Sequence, residues 1–215
     1  MSLTLHYHPL SSFCHKVLIA LYEKDVAFTP HLVDLGDAAQ REAFRSLWPM
    51  GKFPVLVDED KGETIPESTV IIEYLDSRSD SGSDLVPADT ELARRTRMLD
   101  RFIDLYVHLP MQKIVGDLLR PERAHDPHGV AEARATLRTA LDVLERDLAT
   151  RAWANGASFS LADCSAAPAL FYANKVMPLL PDHPVVAAYL DRLMQRPSYA
   201  RVLMEAQPYF HLFPA

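Results

Sequence analysis

Between residues 3 and 78 the hydrophobic pattern keeps switching between a period of two and the helical period; after residue 91 it never returns to two. Leu3, Leu5 and Tyr7 alternate with polar residues and predict a strand, and Val17, Leu18, Leu21 and Tyr22 recur at helical spacing. "VAFTPHLVDL" predicts a second strand, and "DAAQREAFRSLW" a helix opened by Asp37. "FPVLVDEDKGETIPES" reads as two short strands joined by a charged turn with Gly62. "STVIIEYLDSR" predicts a helix with Val70, Ile71, Tyr74 and Leu75 on its apolar stripe. The order βαβαββα calls for a parallel first pair with a right-handed crossover, then an antiparallel hairpin.

"SDSGSDLVPADTE", residues 79–91, breaks both periodicities and is the best linker candidate. The expected division is an α/β domain over 1–80, a linker over 81–90 and an all-α domain over 91–215. In the second domain "ELARRTRMLDRFIDLYVHL" places Met98, Phe102, Leu105, Tyr106 and Leu109 on one side of a long helix, which Pro110 is expected to kink or end. Val130, Leu137, Leu141, Leu144 and Leu148 stripe a second helix, and "HDPHG", with Asp126 and His128, reads as a turn before it. "SLADCSAAPALFYANKV" is apolar nearly throughout, as a buried central helix should be, and Ser160 with Asp163 fits a capping box at its start. "HPVVAAYLDRLMQR" and "SYARVLMEA" follow, separated by Pro197.

A formal net charge of −7 argues against nucleic acid or an anionic membrane as partner. No apolar run approaches the ~20 residues of a membrane helix. Two cysteines are too few for a disulfide framework and wrongly spaced for zinc, a usage that fits the cytoplasm. His6 and His8 would share a strand face, but no third ligand stands at a recognisable spacing, so no metal is expected.

The chemistry concentrates at the first strand–helix junction, "HPLSSFCHKVLIAL". Ser11-Ser12-Phe13-Cys14 has the shape of a redox Cys-x-x-Cys loop whose first cysteine has become serine. A serine just before a helix is well placed to donate to an anion, and equally suited to be an N-cap. Glu67 and Ser68 open the third helix and read alike as a cap or as a carboxylate and ammonium site. Cys14 falls one turn into the helix, with no partner cysteine to attack first, and is assigned to packing; Cys164 is assigned to a buried hydrophobe.

Three stretches resemble the cytosolic glutathione transferases, in order and spacing across nearly the whole chain. "HPLSSFCHKVLIAL" looks like the active-site loop of the serine-type phi, zeta and theta classes. "WPMGKFPVL" with "IPESTVIIEYL" is similar to the family's cis-proline loop and Glu-Ser helix start, and "FSLADCSAAPAL" resembles its second-domain capping box. The resemblance implies a thioredoxin-like first domain and a helical second one, in a bacterial-type, cytoplasmic, homodimeric detoxification enzyme. Ser11 would stabilise the glutathione thiolate and Ser12 would add a hydroxyl or amide. Lys52, Phe53, Pro54, Glu67 and Ser68 would bind glutathione, the co-substrate, with Pro54 cis. A small hydrophobic electrophile would meet the sulfur between Leu10, Phe13, Tyr106, His108 and Met111, under "PYFHLFP" as a lid. Rival readings are a zeta-like glutathione-dependent cis–trans isomerase and a non-catalytic binding or regulatory protein.

Overall fold

The computed structural model describes residues 2–78 and 84–214. Residues 79–83, which include the start of the expected linker, lie outside the described residues.

Strands β1 (Leu3–Tyr7), β2 (Thr29–Leu32), β3 (Val55–Asp58) and β4 (Glu63–Pro66) form one sheet in the order β2-β1-β3-β4. β1 and β2 run parallel, as the helix between them requires, while β3 is antiparallel to both β1 and β4. Gly62 makes the hairpin turn at φ +63, where a side chain would be strained. Helices α1 (Ser12–Glu23), α2 (Ala38–Leu47) and α3 (Ser68–Asp76) complete the βαβαββα unit. Asp37 opens α2 by accepting from the Gln40 amide at 2.8 Å. In α3 the buried stripe is Ile71, Ile72 and Leu75; Val70, expected inside, is 53% exposed.

The second unit contains α4 (Thr90–Phe102), α5 (Leu109–Leu118), α6 (Pro127–Leu148), α7 (Leu161–Val176), α8 (Pro184–Gln195) and α9 (Pro197–Ala206). A π-helical stretch, Ile103–His108, joins α4 to α5, so Pro110 neither ends nor breaks the path. The Leu109 amide donates to the Asp104 carbonyl five residues back, and Pro110 falls in the first turn of α5, where its missing N–H costs little.

Of the expected apolar side of this long helix only Phe102 is turned inward, partly buried against the core. Met98, Leu105, Tyr106 and Leu109 are each 38–49% exposed, while Leu99, Ile103, Val107, Met111 and Ile114 are buried. Thr96, Asp100, Asp104 and His108 are buried with them. The helix has two apolar faces, and the inner one is interleaved with polar residues whose partners lie on other elements.

Asp126 and His128 are also corrected. Asp126 caps α6, accepting from the Gly129 amide at 2.8 Å, with Pro127 at the first helical position, so His128 is already on the helix.

α1 packs against α3 on one side and α7 and α9 on the other, so one apolar core runs through both units. The capping box at Ser160 and Asp163 is present. The buried Asp163 carboxylate also accepts from the Ala154 amide at 2.8 Å and the Tyr189 hydroxyl at 2.6 Å, which makes it a structural anchor. Asp76, at the end of α3, takes the amides of Leu85 and Val86 at 2.9 and 3.0 Å and tethers the entry to the second unit.

Candidate active site

Sheet topology gathers the motifs. His6, near the end of β1, pairs with Val55 at the start of β3, and Val55 pairs with Pro66 at the end of β4. The segments after β1, before β3 and after β4 therefore leave the sheet at the same end. They are the loop carrying Ser11, the Lys52–Pro54 stretch and the Glu67-Ser68 helix start.

The first loop is tightly held. The Ser11 amide donates to the His8 carbonyl at 3.0 Å, closing a turn with Pro9 in its second position, and the Leu10 amide donates to His8 Nδ1 at 3.2 Å. Ser11 caps α1 in extended backbone, its Oγ accepting from the Cys14 amide at 3.3 Å. That contact uses a lone pair of this partly buried side chain, and the Cys14 thiol lies close enough to the same hydroxyl for the two to interact. The first amides of α1 have no intrahelical acceptor and add a positive end to the same spot.

Ser12 lies deeper. It is 5% exposed, and its Oγ makes a short hydrogen bond with Nε2 of His108, which is itself fully buried. Phe13 stacks on the His108 ring at 3.8 Å between centroids. Burial, reinforced by Lys16 and His15, drives the His108 pKa down to about 3, so the imidazole is neutral at physiological pH. Cys14 is fully buried, and desolvation pushes its thiol up to about 12. A thiol in that state is inert at neutral pH.

The Phe53–Pro54 bond is cis. The Phe53 ring stacks against His8 at 5.9 Å, which ties this segment to the Ser11 loop. Pro54 is buried and Lys52 exposed. Glu67 holds φ 69 and ψ 118, a sparsely populated conformation for a residue with a side chain, and is exposed; Ser68 is 6% exposed at the first position of α3.

Behind the loop is a buried polar cluster that the sequence pattern hid. Lys16 Nζ lies 2.6 Å from Asp100 Oδ1 and 3.0 Å from Asp104 Oδ2, and donates to Thr69 Oγ1 at 2.9 Å. Thr69 Oγ1 donates to Asp100 Oδ2 at 2.8 Å, and Ser165 donates to Asp100 Oδ1. Desolvation raises the Asp104 carboxyl, and the Asp100 charge adds to the rise despite the opposing pull of Lys16. α1, α3, α4, the π stretch and α7 are thus linked through one ammonium. Its available signal was a lone lysine inside an apolar helix and a Thr-Asp-Asp-His series at four-residue intervals.

The expected electrophile walls are only partly brought together. Phe13 and His108 are in contact and Leu10 is partly buried beside them in sequence. His108 and Met111 are 0% and 2% exposed, so neither presents surface to a bound molecule, and Tyr106 is directed outward against Phe102. Of the C-terminal segment, Tyr209 meets His8 edge-on at 6.0 Å, while Phe210 and Phe213 pack on Phe171 and Tyr172. His6 faces His31 rather than a metal set, and among the described residues no group of three or more His, Cys, Asp or Glu could hold an ion.

The model of the glutathione S-transferase N-terminal domain matches residues 5–83, and that of the C-terminal domain residues 127–192. Glutathione S-transferase 3 of Zea mays is 32% identical over 94% of this chain and 93% of its own. A dichloromethane dehalogenase of Methylorubrum extorquens is 29% identical over 96% of this chain and 75% of its own. The crystal structure of a glutathione S-transferase from Methylobacillus flagellatus with glutathione bound superposes with a TM-score of 0.85, at 29% identity, covering 94% of this chain and 98% of that one. With its sheet, its serine-bearing loop and both domain models in agreement, the chain belongs to the glutathione S-transferase family.

Proposed function

We propose that the protein is a glutathione transferase in which the Ser11 hydroxyl donates a hydrogen bond to the glutathione sulfur and holds it as thiolate. One observation carries the reading: Ser11 caps α1 at its positive end, its Oγ accepting from the Cys14 amide, at the end of the sheet where the cis Phe53–Pro54 segment and the Glu67-Ser68 helix start also lie. A cysteine-type thiol of pKa ~8.5 is only about 3% ionised at pH 7, and lowering that by ~2 units takes about 2.7 kcal/mol. A hydrogen bond to a charged group contributes about 1.5–3 kcal/mol and a helix N-terminus roughly 0.3–1. Together they suffice. The thiol proton leaves to solvent, and the thiolate attacks an electrophilic carbon, whose leaving group departs with the bonding electrons. Ser11 gives no proton away.

In this reading Phe53, just before β3 at the end of the sheet, exchanges backbone hydrogen bonds with the cysteinyl part of glutathione, next to Pro54. The Glu67 carboxylate takes the γ-glutamyl ammonium, and the Ser68 hydroxyl and α3 amides its carboxylate. Lys52, exposed beside them, meets a carboxylate of the same peptide. Ser12, tied to His108, supports the loop from beneath rather than touching sulfur. The electrophile is small and hydrophobic and meets Leu10 and Phe13; the dehalogenase relative supports displacement of halide from carbon. Both cysteines are free and buried, which fits a cytoplasmic location. The outward apolar face of Val70, Met98, Leu105, Tyr106 and Leu109 supports a homodimer.

Ser11→Ala tests the assignment, with Ser12→Ala beside it. The ultraviolet absorbance of bound thiolate is titrated, and conjugation of a chlorodinitrobenzene-type substrate is followed. Ser11→Ala is expected to return the thiol toward ~8.5 and cut the rate at pH 7 by about 25-fold, with retention on immobilised glutathione preserved. An unchanged thiolate pKa would reject Ser11, and loss confined to Ser12→Ala would transfer the role. No retention and no activity in the wild type would favour a binding protein, and cis–trans isomerisation without conjugation the zeta-like reading.

A further inference from the structure

His15 is enclosed by α1, α7 and α9, and none of its surface is exposed. Its backbone amide donates to the Ser11 carbonyl at 2.9 Å. Its side chain folds back toward the loop, so that Nε2 lies 2.5 Å from the Pro9 carbonyl oxygen. One residue therefore grips the chain on both sides of Leu10.

A carbonyl oxygen only accepts, so Nε2 carries the proton. Burial lowers the His15 pKa to about 4, which keeps the ring neutral at pH 7 and leaves Nδ1 as a bare lone pair. Tyr172 from α7 and Tyr199 from α9 face this ring, with centroids 5.7 and 6.2 Å away. His15 Nδ1 and both tyrosine hydroxyls are buried and have no hydrogen-bond partner among the described residues. Two tyrosine rings with unpartnered hydroxyls thus flank an imidazole with an unpartnered Nδ1, and a buried water with two to four partners is the usual way such groups are satisfied.

We propose that His15 is a positioning residue for the Ser11 hydroxyl: Nε2–H clasps the Pro9 carbonyl, while Nδ1 accepts from a buried water shared with the Tyr172 and Tyr199 hydroxyls. The inference rests on the reading of Ser11 as the thiolate donor. Hydrogen bonds weaken steeply with misalignment, so a loosened His8–Ser11 turn delivers a weaker bond to sulfur even with the serine intact. The ionisable groups that meet this ring are His108 from the π stretch, Tyr172 from α7 and Tyr199 from α9.

Three variants separate positioning from simple support of the fold. His15→Leu removes the clasp, His15→Gln retains an N–H that can reach Pro9, and Tyr199→Phe removes one hydroxyl from the water. In the purified enzyme the thiolate pKa of bound glutathione, the pH profile of kcat/KM and the melting temperature are read together. His15→Leu is expected to raise the thiolate pKa by about 1 unit, lowering kcat at pH 7 about threefold with little change in the KM for glutathione. His15→Gln restores most of the shift, and Tyr199→Phe shows a smaller one in the same direction.

A fall in melting temperature for Leu and Gln alike, with the thiolate pKa at its wild-type value, overturns the proposal. Ser11→Ala is run in parallel. If it leaves the thiolate pKa unmoved, the reading of Ser11 fails; if it moves the pKa while His15→Leu does not, only the present inference fails. Nitrogen NMR of the wild-type imidazoles between about pH 5 and 8 covers a variant that does not fold. An Nε2–H tautomer at His15 with a hydrogen-bonded Nδ1 supports the clasp, and an Nδ1–H tautomer overturns it.

Discussion

Replacing Lys16 with methionine keeps the length and most of the volume of the side chain and removes only its charge. Lys16 is fully buried, and its ammonium is 2.6 Å from Asp100 and 3.0 Å from Asp104. The variant would leave two carboxylates in the interior. Asp100 would keep the Thr69 and Ser165 hydroxyls, but Asp104 would retain only Arg101 at 3.9 Å, and its Oδ1 has no hydrogen-bond partner among the described residues. Removing one member of a buried ion pair costs about 3–5 kcal/mol, because the remaining charge has lost its compensation. Against a total stability of roughly 5–15 kcal/mol, that is a large share. The loss also carries a pH signature. Carboxyls whose pKa is raised in the folded protein bind protons more tightly than in the unfolded chain, so the deficit should shrink as the pH falls from about 7 toward 5. Urea unfolding of Lys16→Met and wild type at both pH values, at one fixed protein concentration, measures it. A destabilisation below about 1 kcal/mol at pH 7, or one that does not shrink in acid, would show that the cluster is not held by this ammonium.

Three more outcomes follow from particular residues. Glu67→Gly relieves a backbone at φ 69 and should stabilise the protein by about 1 kcal/mol while weakening glutathione binding; a lower melting temperature or unchanged binding by equilibrium dialysis contradicts this. His15 and His108 have folded pKa values of about 4 and about 3, below the ordinary 6.5, so the unfolded chain binds their protons first. Stability present above pH 6.5 is therefore lost as the pH falls through that window, on the order of 3 kcal/mol for His15 alone, with Asp104 and Asp163 partly opposing it through their raised carboxyls. Urea midpoints across that range should fall, and His108→Phe should flatten the slope; an unaltered slope excludes the histidine. On the homodimer reading, wild type sediments as a dimer and Leu105→Glu combined with Leu109→Glu, which places charge on the outward apolar face, yields folded monomers in sedimentation velocity; a monomeric wild type rejects the dimer, and a dimeric variant puts the interface elsewhere.

The sequence made legible whatever depends on neighbours along the chain. Each strand and helix of the first unit was expected from its periodicity, and so were the Asp37 cap, the Gly62 turn and the Ser160–Asp163 box, because propensity, capping and turn chemistry act over a few residues. The cis bond at Pro54 was reachable only through the resemblance, since proline alone leaves trans as the default. The inner face of the helix from Thr90 to Leu118 was misread because a rule that ranks apolar above polar cannot see Lys16 arriving from another helix.

Alone, the sequence determined the order of elements, the two-part organisation and the residue types at the first helix mouth. The tertiary structure decided which of the adjacent serines caps α1 and which is buried against His108, 96 positions away. It also decided that Asp100, Asp104 and His108 face inward, and that His15 turns back onto Pro9. Local pattern encodes the tendency of a side chain to be buried, whereas the partner that satisfies a buried polar atom is supplied by chain folding.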